Sequence, residues 1–296
     1  MSRQILNKTI DIDGVDIFYR EAGDPANPSV LLLHGFPTSS VMFKNLMTLL
    51  SDRFHLIAPD YPGFGFSAFP DRDSFTYTFE NIADHLSRLT EEIGLTSFFI
   101  YLHDYGCPIG LWICLKHPER IDSIIVQNGN AYEEGIKGIW DEIREYWEQP
   151  SEEKKRKLYA FLSEEGTKDQ YTAGIPEGLK TAVSPELWML DWDRLKRPGN
   201  LDMQYELNLD YRNIFKLFPA YQEYFRKYQP PALIIWGQRD RYLGPKLAEP
   251  HHEDVPGLDR VERLPDASHW VHHDEAERVN QLLIDFFTPA PPTEHR

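Results

Sequence analysis

The sequence predicts an α/β fold: a mostly parallel sheet flanked by helices, with one helical segment inserted into it. Three observations carry this. Short continuous apolar runs recur over the first 130 residues, amphipathic helical stretches separate them, and the same strand pattern resumes near residue 232 after a long interval without it. Strands buried on both faces read as unbroken apolar runs, and strand–helix alternation implies parallel pairing through right-handed crossovers.

Taken in order, residues 10–20 hold two apolar-rich stretches around Asp13-Gly14. That dipeptide favours a tight turn, so an antiparallel edge hairpin is expected. Residues 29–33, 54–58, 98–102 and 124–127 are the buried strands. Within 81–93, Ile82, Leu86, Leu89 and Ile93 recur at helical spacing, and Gly94 supplies the stop. From 131 to 229 the pattern becomes charged, aromatic-rich helix, including 152–161 and 205–217, broken by proline and glycine. Strands return at 232–236 and 261–264, and an amphipathic helix is expected over 275–287. The expected organisation is a core of 1–130 and 230–287, a helical cap of 131–229, and a flexible proline-rich tail of 288–296.

Composition narrows the function. A chain of 296 residues with 41% hydrophobic content can bury a full core. Its net charge of −16 argues against nucleic acid or an anionic membrane as partner, because phosphate binding needs clustered Lys and Arg. Cys107 and Cys114 are too few for a disulfide framework and lack the companions of a zinc site. The start has no signal-like apolar core, and no apolar run reaches the roughly 18 residues of a membrane span. A cytoplasmic protein without cofactor or metal is the expectation. The pairs His251-His252 and His272-His273 are expected on solvated surface.

The chemistry gathers at strand ends. Asp104 lies in Tyr101-Leu102-His103-Asp104-Tyr105-Gly106-Cys107, directly after an apolar strand and before a helix. A sharp turn there would present its side chain at the carboxyl edge of the sheet, and the crowded backbone calls for the small Gly106. Taken alone, Asp104 could equally cap the following helix. Asp240 follows the strand ending in Trp236-Gly237, and His269 sits in a turn before the last helix. Together they give the order nucleophile, acid, base. His34-Gly35-Phe36-Pro37 would set the Phe36 N–H beside the Tyr105 N–H as an oxyanion hole. The glycine-rich loop 60–67 lacks the Gly-Lys-Ser/Thr ending of a phosphate loop.

At these residues the chain resembles the α/β-hydrolase superfamily over nearly its whole length. It is most similar to the aspartate-nucleophile branch, which includes epoxide hydrolases and haloalkane and fluoroacetate dehalogenases. The resemblance implies an eight-stranded sheet and a two-step reaction. Asp104 attacks a saturated carbon to form an ester, and His269, oriented by Asp240, activates the water that cleaves it.

Within the branch, haloalkane dehalogenases usually place tryptophan after the nucleophile and asparagine after the early His-Gly, where this chain has Tyr105 and Phe36. Fluoroacetate dehalogenases carry arginines after the nucleophile, against Tyr105 and Pro108 here. Epoxide hydrolases commonly show His-Gly-Phe-Pro and His-Asp-aromatic, as this chain does, and use two cap tyrosines to protonate the opening ring. Tyr211, in Leu209-Asp210-Tyr211-Arg212, resembles the second of these; the position of the first falls on Ile143, with Tyr146 expected to substitute and Tyr171 as another option. Leu102 stands where the family elbow often has glycine.

The resemblance thus implies epoxide opening to vicinal diols on a small apolar or aryl substrate. Two alternatives stay open: dehalogenation of an activated organohalide with cap tryptophans, among them Trp147, Trp188 and Trp192, or cap tyrosines as halide donors, and a non-catalytic binding relative. Monomer and homodimer are equally compatible.

Overall fold

Asp13 and Gly14 both take positive φ, 54° and 85°, which matches the right-handed twist of the hairpin they join. The hairpin is longer than the apolar pattern suggested: β1 (Leu6–Ile12) and β2 (Val15–Ala22) pair antiparallel from Leu6–Glu21 to Ile12–Val15. The computed structural model describes residues 4–133, 139–244 and 260–287. The expected tail of 288–296 and the His251-His252 pair lie outside the described residues.

Six further strands follow: β3 (Ser29–Leu33), β4 (His55–Pro59), β5 (Phe98–His103), β6 (Ile121–Gln127), β7 (Ala232–Gly237) and β8 (Arg260–Leu264). They form one eight-stranded sheet in the order β1-β2-β4-β3-β5-β6-β7-β8. From β4 to β8 every pairing is parallel, while β2 meets β4 antiparallel. The unbroken apolar runs have their cause in burial on both faces. Along β3, Leu31 and Leu33 enter one core and Val30 and Leu32 the other. Burying such side chains contributes about 2 kcal/mol each relative to exposure.

Helices cover both faces. α1 (Lys44–Leu50) lies on the Val30–Leu32 side, and α2 (Phe79–Glu92) and α3 (Gly106–Lys116) on the other. The Thr78 hydroxyl caps α2 by accepting from Asn81 N at 3.1 Å, and Gly94 at φ 77° ends it. Between β6 and β7 the described residues contain no strand. They form α4 (Ile139–Glu148), α5 (Glu152–Leu158), α6 (Glu164–Thr172), α7 (Pro185–Leu195), α8 (Asn200–Phe215) and α9 (Phe218–Tyr228).

Three details differ from the sequence pattern. The helix expected over 152–161 ends at Leu158 and tightens into a 3-10 turn. The one expected over 205–217 begins earlier, at Asn200, directly after Gly199 at φ 81°. α9, inside the expected cap, packs beside α3, where the Tyr221 hydroxyl donates to Pro108 O at 3.4 Å. The chain closes with the short α10 (Val271–Asp274) and α11 (Ala276–Phe287). Among the described residues no helix is long and apolar enough to cross a membrane.

Candidate active site

Asp104 sits between β5 and α3 with φ 49°, a left-handed conformation that a non-glycine residue adopts only where its surroundings enforce it. The crowding is measurable at the glycines around it. A Cβ on Gly106 would lie 2.3 Å from the Leu33 carbonyl oxygen, and one on Gly35 would lie 2.5 Å from the Asp104 Cβ. Leu102, standing where relatives often have glycine, is accommodated from the other side: a Cβ on Gly110 would come within 2.1 Å of its Cδ2.

The Asp104 side chain does not cap α3, which starts without a side-chain cap. Its Oδ1 instead accepts the Phe36 N–H at 2.7 Å. The expected second donor, the Tyr105 N–H, makes no hydrogen bond to the carboxylate in this geometry. The other oxygen, Oδ2, lies 3.6 Å from His269 Nε2. His269 Nδ1 donates to Asp240 Oδ2 at 2.7 Å, which leaves Nε2 facing Asp104. Asp240 is itself held by the N–H groups of Tyr242 and Leu243, both on Oδ1, at 2.7 and 2.9 Å.

Sequence reasoning missed Asn128. It follows β6 with φ 44°, donates from Nδ2 to Asp240 Oδ2, and accepts the Gly237 N–H on Oδ1 at 3.1 Å. It ties the acid-bearing loop to the neighbouring strand. The only signal was a polar residue ending an apolar run. Asn128→Ala is expected to slow turnover about tenfold, because it removes a charge-assisted bond to Asp240 worth 1.5–3 kcal/mol. Steady-state rates alongside thermal melts check this.

The electrostatics fit an ion pair at rest. Burial works against the His269 imidazolium, but the Asp240 charge and the contacts with both carboxylates outweigh it and raise its pKa to about 10. Burial also works against the Asp104 carboxylate, yet the facing His269 and the Phe36 N–H hold its pKa below the ordinary value. His34 and His103 are driven down to about 3, mainly by burial. The neighbouring imidazoles are therefore neutral, and positive charge concentrates on His269.

Asp104 and His269 open onto a cavity of about 110 Å³ whose walls include Phe36, Tyr105, Ile143, Asn208 and Tyr211. Tyr211 packs on Phe79, Tyr105 and Trp140, with ring centroids 5.4, 6.0 and 5.0 Å away. Burial raises its pKa well above the phenol value, so it keeps its proton.

Tyr146 does not line this cavity. Ile143 does, and the helix turns Tyr146 towards Tyr159 and Tyr205, whose hydroxyl pairs with its own. Tyr171 is also elsewhere, stacked on Trp270 at 4.4 Å and hydrogen-bonded to Asp191. Trp147, Trp188 and Trp192 are absent from the lining, and the one tryptophan present, Trp140, spends its N–H on Tyr242 O at 3.1 Å.

The remaining motifs have structural explanations. His272, expected on solvated surface, is buried, with its Nδ1 3.0 Å from Gln127 Nε2, because α10 tucks it beneath the sheet edge. In the 60–67 loop the buried Asp60 carboxylate takes the Ser40 and Phe66 N–H groups at 2.7 and 2.8 Å. That loop is filled by its own anion. A larger groove of about 580 Å³, between Val41–Asn45 and residues 183–190, includes none of Asp104, Asp240 and His269.

Comparison with known proteins agrees with this architecture. A family described as alpha/beta hydrolase fold matches residues 28–276. An uncharacterized hydrolase of Saccharomyces cerevisiae, YNR064C, is 38% identical over 279 residues, covering 93% of this chain and 94% of that protein. Epoxide hydrolase 3 of Xenopus tropicalis is 25% identical, over 92% of this chain and 75% of its own. The crystal structure of Cfl2 from Burkholderia cenocepacia superimposes with a TM-score of 0.79 at 20% identity, covering 95% of each chain. The eight-stranded sheet, the sharp turn bearing Asp104 and the match over residues 28–276 lead to one conclusion: the chain is a hydrolase of the α/β-hydrolase-fold family.

Proposed function

We propose that the chain opens small epoxides to vicinal diols through an ester on Asp104. The observation that carries this is the split role of the Asp104 carboxylate. Oδ1 is anchored by the Phe36 N–H, Oδ2 faces His269 Nε2 at 3.6 Å beside the cavity, and the protonated Tyr211 shares that cavity. The similarity to epoxide hydrolase 3 supports the same reading.

In the first step Oδ2 bonds to a ring carbon while the carbon–oxygen bond breaks, and the departing electron pair takes a proton from Tyr211. Esterification removes the Asp104 charge, so the His269 imidazolium loses an important stabiliser and returns a proton to the phenolate. Neutral His269 then takes a proton from water, whose oxygen attacks the Asp104 carbonyl carbon. The oxyanion forms on Oδ1 at the Phe36 N–H. Its collapse breaks the bond between the Asp104 carbonyl carbon and the ester oxygen, and the leaving alkoxide takes the proton of the new Asp104 carboxyl, which gives the diol, the carboxylate and the His269 imidazolium. The hydrogens of one water end in the diol, and the enzyme returns to its starting charges.

The cavity also bears on substrate size. About 110 Å³ is less than the roughly 150 Å³ that accepts benzene. A cavity of this size suits small epoxides, within the apolar or aryl class expected from composition. For halide release, Trp140, the indole on the cavity among the described residues, is already engaged by the Tyr242 carbonyl, which leaves the phenols as the donors that reading would need.

Rapid quenching of the protein with propylene oxide and mass spectrometry of the Asp104 peptide tests the reading. An adduct of epoxide mass that precedes diol is the expected result. Absence of both overturns it. Tyr211→Phe is expected to slow adduct formation about 100-fold and leave adduct hydrolysis within a few-fold of wild type, read from the same quench series.

A further inference from the structure

Tyr211 is one phenol on the cavity wall, Ile143 lies where the resemblance expects a second tyrosine, and Tyr146 and Tyr171 are bonded elsewhere. We infer that the second donor is the hydroxyl of Tyr105, the residue directly after the nucleophile, and that Asn208 aims it. This rests on the epoxide reading above.

Three observations converge. First, Tyr105 is buried and shares the cavity wall with Asp104, and its ring centroid lies 6.0 Å from that of Tyr211. Second, Asn208 and Tyr211 sit three residues apart on α8 and both face the cavity. Residues at that spacing share a helix face, so a hydroxyl held by Asn208 is brought to the side where Tyr211 points.

Third, the hydrogen bonds run in one direction. The Tyr159 hydroxyl donates to Asn208 Oδ1 at 2.9 Å, and Asn208 Nδ2 donates to the Tyr105 oxygen at 3.3 Å. O–H···O bonds are shorter than N–H···O bonds, which fits this orientation of the amide. Tyr105 therefore accepts from Asn208, and its single proton has no acceptor among the described residues. That proton is available to a ligand in the cavity. Chains of this kind polarise one another, which strengthens the terminal donor. Burial raises the Tyr105 pKa, so the proton stays on the phenol at neutral pH.

In ring opening, the carbon–oxygen pair leaves onto an oxygen that takes the Tyr211 proton and accepts a hydrogen bond from Tyr105. One phenol transfers a proton and the other stabilises the developing alkoxide. A buried hydroxyl on the residue after Asp104 thus does work that relatives assign to the cap.

The test uses Tyr105→Phe, which keeps the ring contacts with Phe79 and Phe36 at 4.9 and 5.8 Å. Two quantities are measured: single-turnover adduct formation on Asp104 with propylene oxide, and binding of propionamide by tryptophan fluorescence. The carbonyl oxygen of propionamide can accept two hydrogen bonds where the ring oxygen would lie. Tyr105→Phe is expected to lower both the adduct rate and propionamide affinity roughly tenfold, with an unchanged melting temperature. Asn208→Leu should lower both by less, and should add nothing to Tyr105→Phe, because a residue acting through Tyr105 is non-additive with its loss.

An adduct rate and amide affinity within twofold of wild type in Tyr105→Phe overturn the donor assignment and leave the epoxide reading standing. No adduct in the wild type, with amide binding that still depends on Tyr105, sinks the epoxide reading and keeps the donor pair. Loss of both signals in the wild type sinks both.

Discussion

His269→Gln is expected to form the Asp104 ester and then hold it, with hydrolysis slowed about 1,000-fold or more, because the water loses its base. The quench experiment that detects the ester in wild type should find it accumulating to one equivalent in the variant. The pH dependence follows from the charges. In the free enzyme His269 titrates at about 10, and both carboxylates contribute to that value. With Asp104 esterified, one contribution is gone while the opposing effect of burial remains, so the histidine of the intermediate titrates below 10. Ester hydrolysis in the wild type should therefore rise with pH through that lower value, whereas ester formation stays flat over the same range. Stability moves in the opposite sense. A folded pKa raised above the ordinary 6.5 stabilises fully below 6.5, and that contribution is lost as pH climbs through about 10. Thermal melts of wild type should decline across that window by more than those of His269→Gln. A variant that turns over without accumulating ester would remove His269 from the base role.

Gly106→Ala is expected to be nearly as damaging by a different route. The added Cβ would sit 2.3 Å from the Leu33 carbonyl oxygen, a backbone atom at the end of a central strand rather than the tip of a flexible side chain. Overpacking of this kind costs about 3 kcal/mol, which lowers the melting temperature by roughly 5–10 °C. The elbow is the element that shifts to relieve it, and a displacement of about 1 Å at Asp104 costs roughly 100-fold in ester formation. Gly178→Ala is the control, since a Cβ there meets nothing within 4 Å. Melting curves and adduct rates should separate the two variants. Equal behaviour would mean that the elbow tolerates expansion and that its crowding does not position the nucleophile.

The strands were legible because burial on both faces leaves a one-dimensional trace: the four consecutive apolar residues of β3, Val30 to Leu33, need no knowledge of their partners. Asp104, Asp240 and His269 were legible in turn because each follows a strand in a fixed order, and the fold brings such ends to one edge. Tyr146 illustrates what the chain conceals. Its spacing from Ile143 is nearly helical, but the direction it faces is decided by Tyr205, 59 residues away in sequence. Asn128 was invisible for a similar reason, since its two partners lie 109 and 112 residues further along. The His272-His273 pair looked like surface because polarity was read without the short α10 that turns His272 inward. α9 reads as one more charged helix of the insertion, and nothing in the sequence marks its contact with α3, where Tyr221 reaches Pro108 O, 113 residues away.

Tyr171 lies face to face on Trp270, the residue next to His269, and is also hydrogen-bonded to Asp191 of α7. Two helices of the insertion thus share a fastening with the turn that carries the histidine. The insertion is therefore part of the frame that sets the histidine's bearing, and sequence changes there that tune substrate fit are constrained to leave this joint in place.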